Sequence, residues 1–322
     1  MTDSDAPIRL EVERVRFSGE TTRVTRVTVD GVTSERAFVL VAGVGVAATY
    51  FEFLAPTLAQ HGPVYALDLP GFAGLPRPNE QPTAEYFAGQ VQAVLEHYAL
   101  ENPVVLGHSM GTQVVTELLV RRPDLTHAVL VSPVINEAES APGVQGIRFA
   151  QSAVHETPHL ALTALSAYIL CGVVYFLTVL PHMLRYRISE RIGLVQAQTL
   201  FIRGELDRTS PRRFHTRLRQ RARDARSWEI EGAAHSIINA HAIGVAELIR
   251  RHLGGSLARR GRMPAEQAAV PPAQHADAEL VLGAIGSRAA EWVSTLRGDD
   301  RGIARAKRAH AKILWRAFRP RR

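Results

Sequence analysis

Cysteine is almost absent from this chain of 322 residues, because Cys171 is the only one. A single cysteine cannot close an intramolecular disulfide, which excludes the class of small secreted domains that disulfides stabilise. Residues 2–5 are polar or acidic, and no basic segment followed by an apolar run is found there, so we expect no signal peptide. The expected location is therefore cytoplasmic.

Motifs for metal ions and nucleotides are also missing from the sequence. No group of His, Cys, Asp and Glu has the spacing of a metal site. Neither the G-x-G-x-x-G motif of dinucleotide-binding proteins nor a P-loop occurs. We therefore expect no metal and no cofactor.

Positive charge is concentrated in one part of the chain, whose net charge is +7. Residues 254 to 322 contain 14 Lys and Arg against 6 Asp and Glu, whereas residues 1 to 253 contain 24 against 25. The near-neutral part gives no indication of nucleic-acid binding, and we expect no specific nucleic-acid partner. Two interpretations of the basic part stay open. One is peripheral contact with an anionic membrane or an acidic partner, and the other is a solvated arginine-rich tail.

Apolar residues make up 46% of the sequence, which is enough for a sizeable core. Short apolar runs alternate with helical patterns over the first two thirds of the chain. This alternation predicts an α/β fold with a mostly parallel central sheet and helices on both faces. The predicted strands cover residues 9–17, 23–29, 36–42, 64–69, 103–106, 128–132, 199–203 and 227–231.

The core of this fold is assigned to residues 1–133 and 197–253. Residues 134–196 contain no convincing strand pattern and are predicted to form a helical cap inserted into the core. Within it, the uncharged stretch 160–180 is long enough to span a bilayer. A spanning helix would leave parts of one sheet on opposite sides of the membrane, so a buried or pocket-lining helix is the preferred interpretation. Shallow docking on a lipid surface is the alternative.

Glycine and proline recur after residue 253, at Gly254, Gly255, Pro271 and Pro272. Residues 254–276 are therefore predicted to be a flexible linker. Residues 277–322 are predicted to be a basic helical extension. In its first part, apolar residues recur at steps of three or four, which is typical of one stripe on an amphipathic helix. That stripe consists of Val281, Ile285, Ala289, Trp292 and Leu296.

The pentapeptide Gly-His-Ser-Met-Gly at residues 107–111 matches G-x-S-x-G, the nucleophile elbow. A strand-like run precedes it and a helical pattern follows it. Such a turn lifts the Ser109 hydroxyl clear of the sheet, and the small residues Gly107 and Gly111 let the backbone make the turn. The pentapeptide therefore predicts a reactive serine, although the motif alone is also compatible with an ordinary glycine-bracketed turn.

An activated serine needs a base, and the base needs an orienting acid. Downstream of Ser109, Asp207 follows a predicted strand and His235 follows the next one, in the chain order serine, acid, histidine. Glu205 and Glu137 are rival acids. Asp207 has the alternative role of a helix cap, and His235 that of a surface histidine.

Residues 36 to 253 resemble α/β-hydrolase-fold proteins of the esterase/lipase-like serine hydrolase type. Four features carry the resemblance, in the order and spacing of that superfamily. They are the glycine turn after Leu40-Val41, the run Asp68-Leu69-Pro70-Gly71-Phe72, the elbow at 107–111, and the Gly-x-x-Asp and Gly-x-x-His pair at 204–207 and 232–235.

The resemblance implies that Ser109 is the nucleophile, His235 the general base and Asp207 its orienting acid. It also implies an oxyanion hole formed by the amides of Met110 and Val44, although this chain has Ala42-Gly43 where many relatives have a His-Gly pair. The implied activity is hydrolysis of an ester or related acyl bond of a small, partly apolar substrate.

Other functions of the same scaffold stay open at this point. The triad also serves C–C bond hydrolases, thioesterases, lactonases and perhydrolases, and the sequence does not separate these reactions. A non-catalytic ligand-binding or interaction protein is the alternative from another class.

Overall fold

The computed structural model describes residues 8–34, 36–154, 167–271 and 278–318. In these residues, nine strands form one sheet, in the spatial order β1-β2-β4-β3-β5-β6-β7-β8-β9. The strands are β1 (Ile8–Phe17), β2 (Glu20–Val29), β3 (Phe38–Val41), β4 (Val64–Asp68), β5 (Val104–His108), β6 (His127–Val131), β7 (Gln198–Gly204), β8 (Ala225–Ile230) and β9 (Arg260–Met263).

The helices cover both faces of this sheet. They are labelled α1 (Leu54–Ala59), α2 (Ala84–His97), α3 (Gly111–Arg121), α4 (Pro142–Ala153), α5 (Val173–Arg185), α6 (Ile188–Arg191), α7 (Arg212–Arg221), α8 (Ile237–Ala240), α9 (Ala242–Leu253), α10 (Ala265–Ala268), α11 (Ala278–Leu296) and α12 (Asp300–Phe318). Side chains of the central strand β3 alternate between two cores. Val39 and Val41 pack in the core under α2 and α3, and Phe38 and Leu40 pack in the core under α1 and α9.

Strand direction places the loops of interest together. β2 is antiparallel to β1 and β4, and every other neighbouring pair in the sheet is parallel. The carboxyl ends of β3 to β8 therefore meet at one edge, which is where ligands bind in open α/β sheets. The predicted mostly parallel sheet with helices on both faces is confirmed.

The predicted flexible linker at 254–276 is wrong for much of its length. Residues 260–263 form the edge strand β9, which pairs in parallel with β8 and buries Met263. Gly261 is needed there, because a side chain at this position would overlap the Trp228 ring. α10 follows and buries Ala268 in the core. Residues 272–276 lie outside the described residues.

The uncharged stretch 160–180 is not one continuous helix. Residues 160–166 lie outside the described residues, and residues 167–171 are helical. Gly172 then takes a left-handed backbone with φ of 78°, and α5 begins after it. No helix in the described ranges is both long and apolar enough to cross a membrane.

The basic extension packs on the body of the protein as the antiparallel pair α11–α12. Lys307 is buried and donates to Thr25 Oγ1 at 2.9 Å, and Arg14 of β1 donates to Asp300 Oδ1 at 3.0 Å. These contacts show that the described part of the extension is not a solvated tail. α11 is helical as predicted, but Ile285 and Leu296 of its predicted apolar stripe face solvent, and the Val281 side chain lies outside the described residues.

Candidate active site

Ser109 lies on a strained turn between β5 and α3. Its φ is 55°, in the left-handed region that a residue with a side chain rarely adopts. Both flanking glycines are sterically required: a side chain at Gly107 would overlap the carbonyl oxygen of Gly111, and one at Gly111 would overlap that of Val41. The tight packing of these backbones explains why small residues bracket the serine.

The glycine turn after β3 faces the serine side chain directly. A methyl group added at Gly43 would lie 3.1 Å from Ser109 Cβ and 3.4 Å from its Oγ. Among the described residues, the amide N–H groups of Val44 and Met110 donate to no protein acceptor. Two unused backbone donors therefore occur in the two segments next to the Ser109 hydroxyl.

Asp207 and His235, far apart in sequence, form a buried hydrogen-bonded pair. Asp207 Oδ2 lies 2.9 Å from His235 Nδ1. Its other oxygen accepts from the amide of Thr209 at 2.9 Å, the hydroxyl of Thr209 at 2.7 Å and the amide of Ser210 at 3.1 Å. Burial by itself raises the pKa of Asp207, but the charge of His235 and the hydrogen bonds outweigh it, so the pKa lies well below its usual value.

Contacts between the loops after β7 and β8 hold the Asp207–His235 pair in place. The Leu206 amide donates to the carbonyl of Ala233 at 2.8 Å, and a side chain at Gly204 would overlap the carbonyl oxygen of Ala234. The buried Arg203 donates to the Asp207 carbonyl at 3.0 Å. The loops after β7 and β8 are thus held against each other along the segments that carry the acid and the histidine.

The residues that flank Ser109 are tied to the His235 segment. The Ser109 amide donates to the Val131 carbonyl at 3.0 Å. Ser132 follows Val131 in the chain, and its hydroxyl donates to the His235 carbonyl at 2.9 Å. His108 Nε2 lies 3.1 Å from the same carbonyl. The turn that holds the serine and the loop that holds the histidine therefore form one connected structure.

His108 is a neutral packing residue. Its ring is buried between Tyr50 and His235, with ring centroids 5.8 Å and 5.0 Å away. Burial and the neighbouring His235 lower the pKa of His108 to about 3. Because a carbonyl accepts from Nε2, the proton resides on that nitrogen, and His108 is not suited to act as a base toward Ser109.

The two rival acids are engaged elsewhere. Glu205 accepts from the Gly232 amide at 3.0 Å and pairs with Arg262. Glu137 accepts from the amide and hydroxyl of Ser189 at 2.8 Å and 2.7 Å. Neither arrangement serves a histidine, so Asp207 is the acid that the fold brings to His235.

Side chains of the insertion cover the glycine turns at this edge. A side chain at Gly45 would meet Tyr168 Cδ1 at 3.0 Å and Cys171 Sγ at 3.5 Å. The Tyr175 hydroxyl donates to the Pro70 carbonyl at 3.1 Å. The wall above the turn after β3 is thus aromatic and apolar. No group of three His, Cys, Asp or Glu side chains suited to a metal ion is found in the part of the chain that the structure describes.

Comparison with known proteins agrees with this architecture. The sequence model of the alpha/beta hydrolase family matches residues 38–248, about two thirds of the chain. The chain belongs to the alpha/beta hydrolase family. No curated protein matches the sequence.

Solved structures of other proteins resemble this alpha/beta hydrolase in fold. An enzyme that degrades N-acyl homoserine lactones is 18% identical with a TM-score of 0.63, over 74% of this chain and 99% of that one. A 2-hydroxy-6-oxo-6-phenylhexa-2,4-dienoate hydrolase from Rhodococcus sp. strain RHA1 is 17% identical with a TM-score of 0.61, over 76% and 100%. A bromoperoxidase from Bacillus anthracis is 15% identical with a TM-score of 0.62, over 76% and 100%.

Sequence reasoning missed several residues of the site in this alpha/beta hydrolase. Thr209 touches both Asp207 and His235, and Ser132 holds the His235 carbonyl. The Asp-x-Thr spacing at 207–209 is typical of a turn in which the aspartate accepts from the backbone two residues on, and this pattern was an available signal for Thr209. Ser132 follows β6, the strand next to the one that precedes Ser109, and no local sequence pattern indicates its role.

Proposed function

We propose that this alpha/beta hydrolase cleaves an ester or related acyl bond of a small, partly apolar substrate through an acyl-Ser109 intermediate. The observation that carries the proposal is the buried Asp207–His235 pair, with 2.9 Å between Oδ2 and Nδ1, in which the His235 segment is hydrogen-bonded to His108, next to Ser109, and to Ser132. Nucleophile, base and orienting acid on three neighbouring loops are the arrangement that acyl transfer needs.

The proposed reaction has two halves. Ser109 Oγ attacks the carbonyl carbon while His235 Nε2 takes its proton, and the amides of Met110 and Val44 hold the resulting oxyanion. The tetrahedral intermediate collapses, His235 returns the proton to the departing alcohol, and the acyl group stays on Ser109. Water then gives a proton to His235 and attacks the acyl carbon, which releases the acid and restores the serine. Asp207 holds the Nδ1–H of His235 throughout.

Electrostatics of the site support these roles. The low pKa of Asp207 keeps its carboxylate ionised, so it can stabilise the imidazolium that forms on His235. His108, whose ring centroid is 5.0 Å from that of His235, is neutral because its pKa is about 3. A charged neighbour at this position would oppose protonation of His235, and a neutral one does not.

The substrate class is inferred from the insertion. Tyr168 and Cys171 lie against Gly45, and Tyr175 lies against the turn at 70–72, so the surroundings of the site favour an apolar acyl or alcohol group in the substrate. Two of the similar structures are named for action on a lactone and on a phenylhexadienoate, but at under 20% identity they show the fold alone. Lactone opening uses the same attack, so a lactone is the second substrate class to test.

A substrate panel tests this proposal. We expect wild type to hydrolyse p-nitrophenyl esters of graded chain length, or lactones or thioesters, and Ser109→Ala to lose about a thousandfold or more of that activity. The exposed Ser256 supplies a matched control, since Ser256→Ala changes a serine far from this edge. Full activity in Ser109→Ala would overturn the proposal. Absence of turnover on every class, together with ligand binding, would favour a non-catalytic protein on this scaffold.

A further inference from the structure

The segment 48–52 directly follows the loop that begins with the glycine turn at 43–45. It contains a short 3₁₀ helix, Ala48–Phe51, which is largely buried. At its start, the Ala48 amide donates to the buried Asp68 carboxylate at 2.5 Å. The position of the glycine turn therefore depends on how this segment is held.

Tyr50 connects the segment to the two loops that carry the proposed nucleophile and base. Its hydroxyl lies 2.5 Å from Ser236 Oγ, and Ser236 follows His235 in the chain. Its ring centroid lies 5.8 Å from that of His108, which precedes Ser109. Tyr50 is itself buried. One side chain thus contacts the direct neighbours of both proposed catalytic residues.

The extension, α11 and α12, holds the same segment from its other side. Thr49 Oγ1 donates to Glu291 Oε1 of α11 at 2.8 Å. Glu52 pairs with Arg288 of α11 and lies 3.1 Å from His310 Nε2 of α12. Side chains on both sides of Tyr50 are therefore bound to the extension.

Glu52 also contacts the helix that follows His235. Its Oε1 accepts from Asn239 Nδ2 of α8 at 3.1 Å, while its Oε2 faces the extension. Because α8 begins shortly after the histidine, this carboxylate connects the extension to the loop that carries the proposed base.

Burial gives these contacts a defined geometry. The side chains of Glu52, Glu291 and His310 are all buried, and Ser287 Oγ lies 2.9 Å from His310 Nδ1. Apolar contacts tolerate small shifts, but a shift here would leave buried carboxylates without partners, which is strongly unfavourable. The extension and the segment 48–52 are therefore held in one relative position.

We propose that the extension positions two parts of the proposed active site, the oxyanion turn at 43–45 and the loop of His235, through the segment 48–52. This inference rests on the proposed function. Tyr50 is the positioning residue, and it acts through Ser236 and His108. A displacement of about 1 Å between catalytic groups can cost about 100-fold in rate, so the connection between these loops bears on kcat.

Tyr50→Phe tests the contact with the His235 loop. The variant loses the hydroxyl and keeps the ring that packs beside His108. We expect kcat on p-nitrophenyl esters to fall about tenfold, because one buried hydrogen bond is lost, and KM to stay close to the wild-type value. A raised KM at unchanged kcat would assign Tyr50 to substrate binding and overturn its positioning role.

Thr49→Val tests the contact with the extension. The valine has nearly the same shape but cannot donate to Glu291, so kcat should fall by about threefold to tenfold. Thr49→Ser keeps the hydroxyl and should keep the wild-type kcat. Thr57→Val is the matched control, because the Thr57 hydroxyl donates to the Phe53 carbonyl one turn earlier at 2.7 Å. Its kcat should equal that of wild type.

Hydrogen exchange followed by mass spectrometry measures the loop positions independently of turnover. In Tyr50→Phe and Thr49→Val, peptides that contain residues 43–47 and 234–241 should exchange faster than in wild type and in Thr57→Val. Thermal melting checks that every variant is folded at the assay temperature.

The outcomes separate this inference from the proposed function. If a fluorophosphonate does not label wild type at Ser109, the proposed function is contradicted and the positioning role is overturned with it. If wild type is labelled and active, unchanged kcat and exchange in both Tyr50→Phe and Thr49→Val overturn the positioning role alone. A loss of kcat in Thr57→Val equal to that in Thr49→Val overturns it as well.

Discussion

The Thr209 hydroxyl oxygen lies 2.7 Å from His235 Nδ1, and the same hydroxyl donates to Asp207 Oδ1 at 2.7 Å. The Nδ1–H of His235 therefore faces a carboxylate oxygen and a hydroxyl oxygen that are themselves linked. This arrangement fixes both the proton position and the plane of the imidazole ring. Thr209 is thus a positioning residue for the proposed base.

Thr209→Val is expected to lower kcat by about 10- to 100-fold. The lost hydrogen bonds to a charged pair correspond to about 1.5–3 kcal/mol, and about 1.4 kcal/mol is tenfold in rate. KM on p-nitrophenyl esters stays close to the wild-type value, because the threonine acts on the base and not on the substrate. Thr209→Ser keeps the hydroxyl and retains most of the activity. Equal losses in both variants would mean that the methyl group, and not the hydroxyl, matters.

Glu52 joins the extension to the segment after His235. It accepts from Asn239 Nδ2 at 3.1 Å and lies 3.1 Å from His310 Nε2, and it pairs with Arg288. This buried carboxylate thus holds together α8, α11 and α12. Its position makes the extension part of the folded core and not an appendage.

Glu52→Gln is expected to lower the free energy of unfolding by about 3 kcal/mol, because it removes the carboxylate from a buried cluster and leaves Arg288 partly uncompensated. Urea denaturation measures the change. Glu247→Gln is the control, since Glu247 pairs with Arg250 and Arg251 at the surface, where such pairs contribute about 0–1 kcal/mol. If the two variants are equally stable, the cluster does not tie the extension to the fold.

His108 makes stability depend on pH. Its pKa is about 3 in the folded protein, below the usual value of a histidine, so the unfolded chain takes up a proton first as the pH falls. The stabilisation from neutral His108 is therefore full above about pH 6.5 and is lost toward pH 3, at about 1.4 kcal/mol per pH unit. In His108→Gln, urea denaturation from pH 7 to pH 4 should show a slope that is smaller by this amount. An unchanged slope would show that His108 does not titrate in this way.

Gly71 allows the close packing of α5 against the turn after β4. It has φ of 82°, and a side chain there would overlap the Tyr175 ring, so Gly71→Ala must move the helix. We expect a loss of about 2 kcal/mol or more in unfolding free energy and a raised KM for long-chain p-nitrophenyl esters. Gly146→Ala in α4 is the matched control, because nothing lies within 4 Å of the added methyl group. Its stability should be unchanged or slightly higher, and a comparable loss there would exclude steric seating as the cause.

The parts of this molecule that follow local patterns could be predicted from the sequence. The alternation of strand and helix patterns predicted the sheet, and Gly107 and Gly111 predicted the turn at Ser109. Both features depend on residues that are close together in the sequence. β9 was not predicted because two of its residues, Arg260 and Arg262, together with Arg259 just before the strand, resemble a solvated linker until β8 supplies the pairing partner.

Long-range contacts account for the other differences. The amphipathic pattern of α11 predicts a helix but not which face is inside, because that depends on Glu52 and Thr49, which lie more than 200 positions earlier. The contact of Ser132 with His235 could not be predicted for the same reason, because this contact forms only when β6 and the loop after β8 come together in the fold.

The proposed mechanism depends most on Ser109 Oγ as the attacking atom, and a fluorophosphonate probe tests this directly. Intact-protein mass spectrometry of wild type should show one added phosphonyl group, and peptide mapping should place it on Ser109. Ser109→Ala should remain unlabelled, and Asp207→Asn should be labelled much more slowly, because its His235 is left in the wrong tautomer. Absence of labelling in the folded wild type, or equal labelling of Ser109→Ala, would contradict the account.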